Sequence, residues 1–213
     1  MTKAEVKKKN KVKYGLKNVY WAMMLSEPGE PILYDTPQSW PGAVSIKFKA
    51  EGGTNKFHAD DVTYYTSISN NGYSGDFESA MVPDDFRVGV MGDEMDANGV
   101  IIENSNAVPK AFALLFEFDG DVNAIRHVLY NCKMSRPGLE SKTTEDKVDP
   151  QTDSGEIAAD PLYDPVVDKM IVHGKTGANT SKDVYDSWYK KVHTPSDGTI
   201  PTVGAALVGS AKI

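Results

Sequence analysis

One cysteine, Cys132, stands alone in 213 residues. A single thiol makes no internal disulfide and founds no Cys-based metal site, so the fold must hold by its core, as expected of a chain made in a reducing cytoplasm. Long apolar runs are missing too: none approaches the ~20 residues that cross a bilayer as a helix. The basic start MTKAEVKKKNKVK is followed by no apolar stretch and no small-residue cleavage site, and does not read as a secretory signal. G-x-S-x-G, Walker A and G-x-G-x-x-G patterns are absent, and no repeat of 20–50 residues is found. The four histidines, at 58, 127, 173 and 193, belong to no metal-binding motif. The reading is of a protein that is not an enzyme and uses no cofactor or metal.

What is present begins with charge. The formal net charge is -7, from 23 basic and 30 acidic residues. Residues 1–13 hold six lysines and one glutamate, so the remainder carries 17 basic and 29 acidic residues, a net of -12. Such a body repels phosphate rather than gathering nucleic acid. The lysine-rich segment reads as a solvated arm, or as one that orders against an acidic neighbour.

Strand patterns dominate the rest. Residues 14–25 (YGLKNVYWAMML) are a first strand, and prolines at 28, 31, 37 and 41 then make 26–41 a loop. Val44, Ile46 and Phe48 alternate with Ser45, Lys47 and Lys49, as on a half-buried strand. Residues 51–55 (EGGTN) supply a turn, 57–68 (FHADDVTYYTSI) are β-prone, and 69–72 (SNNG) end that run. Another strand is expected over 72–80. Pro83, Asp84 and Asp85 open a short helix with Phe86 and Val90 inward and Gly92 at its end. Residues 96–99 (DANG) give a hairpin turn before the strand 100–103.

Residues 112–118 (FALLFEF) are apolar on both faces. Phe112, Leu114, Phe116 and Phe118 share one, and Ala113, Leu115 and Glu117 the other, so a helix or a second subunit must cover the second face. Residues 126–134 pair back across Asp119-Gly120. The segment 140–152 alternates charge and threonine with almost no core face, a long polar edge, and 166–173 is one more strand. Residues 180–183 (TSKD) begin a helix whose Val184, Tyr185, Trp188, Tyr189 and Val192 form an apolar stripe. The result is a mainly β (α+β) fold, a sandwich or barrel with a flanking helix and extended assembly loops. The chain divides into a basic arm (1–13), a central domain (14–193) and a flexible tail (194–213).

Site chemistry is thin. His58 and Asp60 would share a strand face and could hold a metal, but a surface strand end is the simpler reading. Asp119, Asp121 and Asn123 resemble a calcium loop, but lack its glutamate. Cys132 reads as a small buried hydrophobe. Trp21, Trp40 and Trp188 would be the stacking residues of a carbohydrate-binding module, the rival from another class.

Several segments together carry a family resemblance: YGLKNVYWA (14–22), FHADDVTYYTSISNNGYSGDFE (57–78), PDDFRVGVMGDEMDANGVIIE (83–103), the stretch 112–161 with its YNC, RP, KT and PQT elements, and the aromatic helix 184–192. The chain resembles the phi13-type major tail proteins, the tail tube proteins of siphoviruses, over residues 14 to about 192. The resemblance implies a virion structural subunit with a tail-tube-type β-sandwich or barrel. Six copies would form a ring, and stacked rings a tube through which double-stranded DNA passes without sequence-specific binding. Implied partners are further copies of the chain and the tape measure, tail-tip and tail-terminator proteins. The implied location is the virion tail, assembled in the bacterial cytoplasm without a membrane. The same subunit type would also serve a phage-derived injection device such as a tailocin or a secretion-system needle. The loop residues Asn70, Asn71 and Tyr73 and the polar-edge residues Lys142, Thr144, Asp146 and Val148 are the candidate subunit contacts, because an edge paired to a neighbour no longer invites aggregation.

Overall fold

The computed structural model describes residues 14–59, 61–121, 124–139, 141 and 151–198. The fold is mainly β, with few helices. Along the chain come β1 (Leu16–Met23), β2 (Gln38–Ser39), β3 (Ala43–Glu51), β4 (Thr54–Ala59), β5 (Val62–Ile68) and β6 (Gly72–Ser79). The short helix α1 (Asp84–Phe86) runs straight into a wide π-helical turn, Arg87–Met91. Then follow β7 (Glu94–Met95), β8 (Ile101–Ile102), β9 (Phe112–Phe118), β10 (Arg126–Met134) and β11 (Asp153–Ala159). The last elements are β12 (Leu162–Asp164), β13 (Lys169–Ile171), β14 (His173–Lys175), α2 (Lys182–Ser187) and a single 3-10 turn, Pro195–Asp197.

Seven strands pair in the order β2-β1-β9-β10-β11-β6-β3, all antiparallel, and β14 adds an eighth on β10. The two ends of this order, β2 and β3, are joined by only Trp40, Pro41 and Gly42. In a flat sheet they would lie about 29 Å apart, six spacings of ~4.8 Å, whereas four peptide steps reach about 14 Å. The sheet therefore has to roll until its ends meet. Trp40 fills the seam: it is buried, 4.8 Å edge-on from Phe77 and 4.5 Å from Phe86.

Inside the roll lies the larger core, with Trp21, Phe77, Phe112, Leu114 and Ile157 from the sheet and Phe86, Val90 and Met91 from α1 and its extension. Asp84 and Asp85 stand in the first turn of that plug, and Gly92 ends it at φ +80°. The smaller core lies outside. Ala22, Ala113, Leu115, Val128 and Tyr130 are covered by Trp188 and Val192. The second apolar face of β9 is thus closed by the flanking helix region of its own chain.

Several sequence expectations shift. A bulge between Ala43 and Ser45 turns Val44 outward, half exposed, while Ile46 and Phe48 pack on the core. Residues 51–55 are a joint rather than a reversal: the glycines pass the chain from β3 into β4. The reversal falls inside the β-prone run 57–68, between Ala59 and Val62, with Asp61 at φ +58°. Residues 166–173 are two short strands, β13 and the start of β14, and 165–168 turn from β12 into β13. The strands β11 and β12 were not expected. Gln151 and Thr152 precede β11 without being strand, and 142–150 lie outside the described residues.

Candidate assembly surfaces

Strands β4 and β5 form an arm. Among the described residues they pair with each other and with no other strand, continuing the β3–β6 ladder as one ribbon. Across the joint, Ser69 N–H donates to Gly53 O at 3.0 Å and Asn71 N–H to Glu51 O at 2.8 Å. Gly52 is required there, because a Cβ would stand 2.1 Å from Ser69 O at φ +153°. Along β5 the ladder shifts register at Tyr64, so Val62 shares a face with Tyr65 and Ile68 stands on the opposite one; Val62, Tyr64, Tyr65 and Ile68 are exposed by 59, 77, 62 and 79%.

Asn70 and Asn71 sit exposed in the joint, and Asn70 Oδ1 accepts from Gly72 N–H at 3.2 Å. Tyr73 is half-buried, packed on the inner core and edge-on to His173. The loop is therefore split between surface and wall. Lys142, Thr144, Asp146 and Val148 lie outside the described residues.

A second feature is a cleft of about 770 Å³ beside α2, walled by β13, β14, Tyr130, Val184 and Trp188. Two lysines, Lys169 and Lys175, and two histidines, His173 and His193, line it, and no described carboxylate does. Helix α2 is started by Ser181, whose Oγ accepts from Val184 N–H. Its far end is tied to the sheet by Arg126, which lies 3.8 Å over the Tyr185 ring and donates to Tyr185 O. Arg126 also stands 3.5 Å from the buried Glu117 carboxylate. Sequence reading missed this anchor, although Glu117 amid apolar neighbours was its signal.

A third feature is the β7–β8 hairpin, where Met95, Val100 and Ile102 are each more than half exposed. Residues 93–106 hold Asp93, Glu94, Asp96 and Glu103 and no basic residue. Among the described residues Arg136 is their ion-pair partner, 2.7 Å from Asp93 and 3.2 Å from Glu103. Asp96 accepts from the Val100 and Asn98 N–H groups, which hold its carboxyl below the ordinary value.

The remaining candidates are placed as follows. Asp60 and Asn123 lie outside the described residues, and Asp119 pairs with Lys17 at 2.8 Å. Among the described residues no three His, Cys, Asp or Glu side chains converge on a point. Burial pushes the Cys132 thiol far up. Trp21, Trp40 and Trp188 are all core residues, leaving no tryptophan face for a sugar.

No family model matches the chain, and no curated protein matches it. Among solved structures, one chain in the six-fold symmetrised cryo-EM structure of the anti-feeding prophage baseplate shows a distant likeness. Its TM-score is 0.38 at 8% identity, covering 84% of this chain and 100% of that one.

No described helix is long and apolar enough to cross a membrane.

Proposed function

We propose that this protein is a phage major tail protein, a virion structural subunit that forms stacked hexameric rings. The rings build the tail tube through which double-stranded DNA is ejected. The observation that carries the reading is the arm: Val62, Tyr64, Tyr65 and Ile68 all stand exposed on a ribbon that, among the described residues, pairs only with itself. Exposed apolar surface of that kind marks a surface meant for another molecule. The rolled sheet behind it, packed on both faces, gives the arm a rigid base. The sequence resemblance names the assembly. A body of net charge -12 outside its first 13 residues suits a conduit, since a wall that bound phosphate would hold DNA back. In this reading the chain works by shape and without catalysis. Its partners are its own copies, the tape measure protein, and the tail-tip and tail-terminator proteins.

Negative-stain microscopy combined with light-scattering mass tests the proposal. Annuli or tubes are expected from the protein alone or with a tail-tip nucleus, and Tyr64→Lys together with Ile68→Lys should abolish them. A monomer under every such condition, or tubes indifferent to both substitutions, would refute it.

A further inference from the structure

The acidic β7–β8 hairpin and the basic cleft beside α2 are opposite in charge and alike in apolar content. Glu94 and Asp96 make no ion pair among the described residues, and neither do Lys169 and Lys175. Met95, Val100 and Ile102 stand out from the hairpin, while Met170, Val184 and Trp188 line the cleft. No described carboxylate lines the cleft, though Asp197 stands 3.9 Å from His193, and that is notable in a chain with seven more acidic than basic residues. We infer that the hairpin of one copy docks in the cleft of the next, so that the occupant of the cleft is residues 94–102 of a second copy.

The placement of the two surfaces excludes self-satisfaction. Arg136 ties the hairpin just beyond Met134, the last residue of β10. The cleft lies against β14, which pairs with residues 127–129 near the start of β10. From residue 128 to residue 136 an extended chain covers about 27 Å. Donor and acceptor are therefore different patches at different ends of one strand. Contact between them is heterologous, head to tail, and propagates until the rotation closes a ring or leaves a filament. Opposite charges steer the encounter and reject wrong pairings. The rim charges are exposed, so the contact weakens in 1 M salt, where the screening length falls to about 3 Å.

This inference rests on the self-assembling subunit proposed above, and the experiment separates the two. The chain's one native thiol, Cys132, is fully buried, so introduced surface cysteines report cleanly. Ala97→Cys at the hairpin tip and Met170→Cys in the cleft are mixed as separate full-length proteins under mild oxidation. A disulfide between the two variants is expected, at a rate well above that of either variant alone. Glu94→Lys or Lys169→Glu added to the matching partner should slow it by about tenfold or more. Combining both reversals should restore most of the rate, because the pair then attracts again with its signs exchanged. Annuli or tubes in the microscope without this disulfide, or reversals that do not compensate, overturn the docking while leaving the tube reading intact. A compensating disulfide in protein that never forms annuli supports the docking and overturns the tube. Absence of both overturns both.

Discussion

Replacing Arg126 by methionine should free the end of α2 from the sheet at a cost of about 3 kcal/mol. The guanidinium lies 3.8 Å from the centre of the Tyr185 ring and 4.8 Å from that of Tyr189, two cation–π contacts that together supply about 1–2 kcal/mol. It also donates to Tyr185 O and faces Glu117 Oε2 at 3.5 Å. The Arg126 and Glu117 side chains are 18% and 5% exposed, and breaking a buried pair by removing one partner costs about 3–5 kcal/mol. Here the penalty falls at the low end, because Glu117 keeps Lys17 Nζ at 3.7 Å and still accepts from the Asn18 amide at 2.5 Å and from Tyr189 Oη at 3.3 Å. Methionine keeps the apolar stem over the two rings. In urea, with a slope of roughly 2 kcal/mol per molar, the midpoint should fall by about 1.5 M at unchanged slope. Adding Glu117→Leu removes the buried carboxylate that has lost its guanidinium and should recover part of the loss, as uncharged replacements of buried pairs do. Trp188 fluorescence would follow the helix region directly, since that indole packs on the same sheet face. A loss below about 1 kcal/mol, or a double variant no better than the single one, would refute this account.

Trp40→Ala should cost about 3–5 kcal/mol by emptying the seam against Phe77 and Phe86, measured by denaturation. Val44→Lys should change stability by less than about 0.5 kcal/mol, whereas Ile46→Lys should unfold much of the population; equal effects would contradict the bulge. Native Cys132 should resist a thiol reagent until denaturant is added, because it is fully buried and its thiolate is disfavoured. Asp197 titrates below its ordinary 3.8: burial opposes this, but hydrogen bonds from Lys191 and Thr194 outweigh it. A depressed carboxyl stabilises the fold above its unfolded value and loses that contribution as pH falls through the folded one, so the Thr194 amide resonance should shift only below pH 3.8.

The reasons for success and failure in reading the sequence are local. The alternation in 112–118 was legible because both faces are apolar, and it demanded the cover that Trp188 and Val192 provide. Strand β11 was missed because its inward residues, Gly155, Ile157 and Ala159, include little bulk, so its period-two signal is faint. In the arm, Gly52-Gly53 looked like a reversal because glycine often marks one. Here it serves a close backbone approach to Ser69, and the reversal sits among β-prone residues. The basic cleft could not be read at all. Lys169 and Lys175 are six residues apart but His193 follows 18 residues later, and they line one cleft only because β13, β14 and the segment after α2 share one side of the roll.

The unbroken ribbon of β3–β4 and β5–β6 also has a mechanical meaning. A pull on the tip of the arm travels down β4 into β3 and down β5 into β6, which is laced to β11 by seven registered residue pairs from Ser79–Asp153 to Tyr73–Ala159. Those hydrogen bonds lie across the line of force and must yield as a set, as in sliding, instead of opening one after another from an end. The arm is thus a tension member rather than a hinge flap, and a filament whose subunits were joined through it could flex without peeling its subunits open.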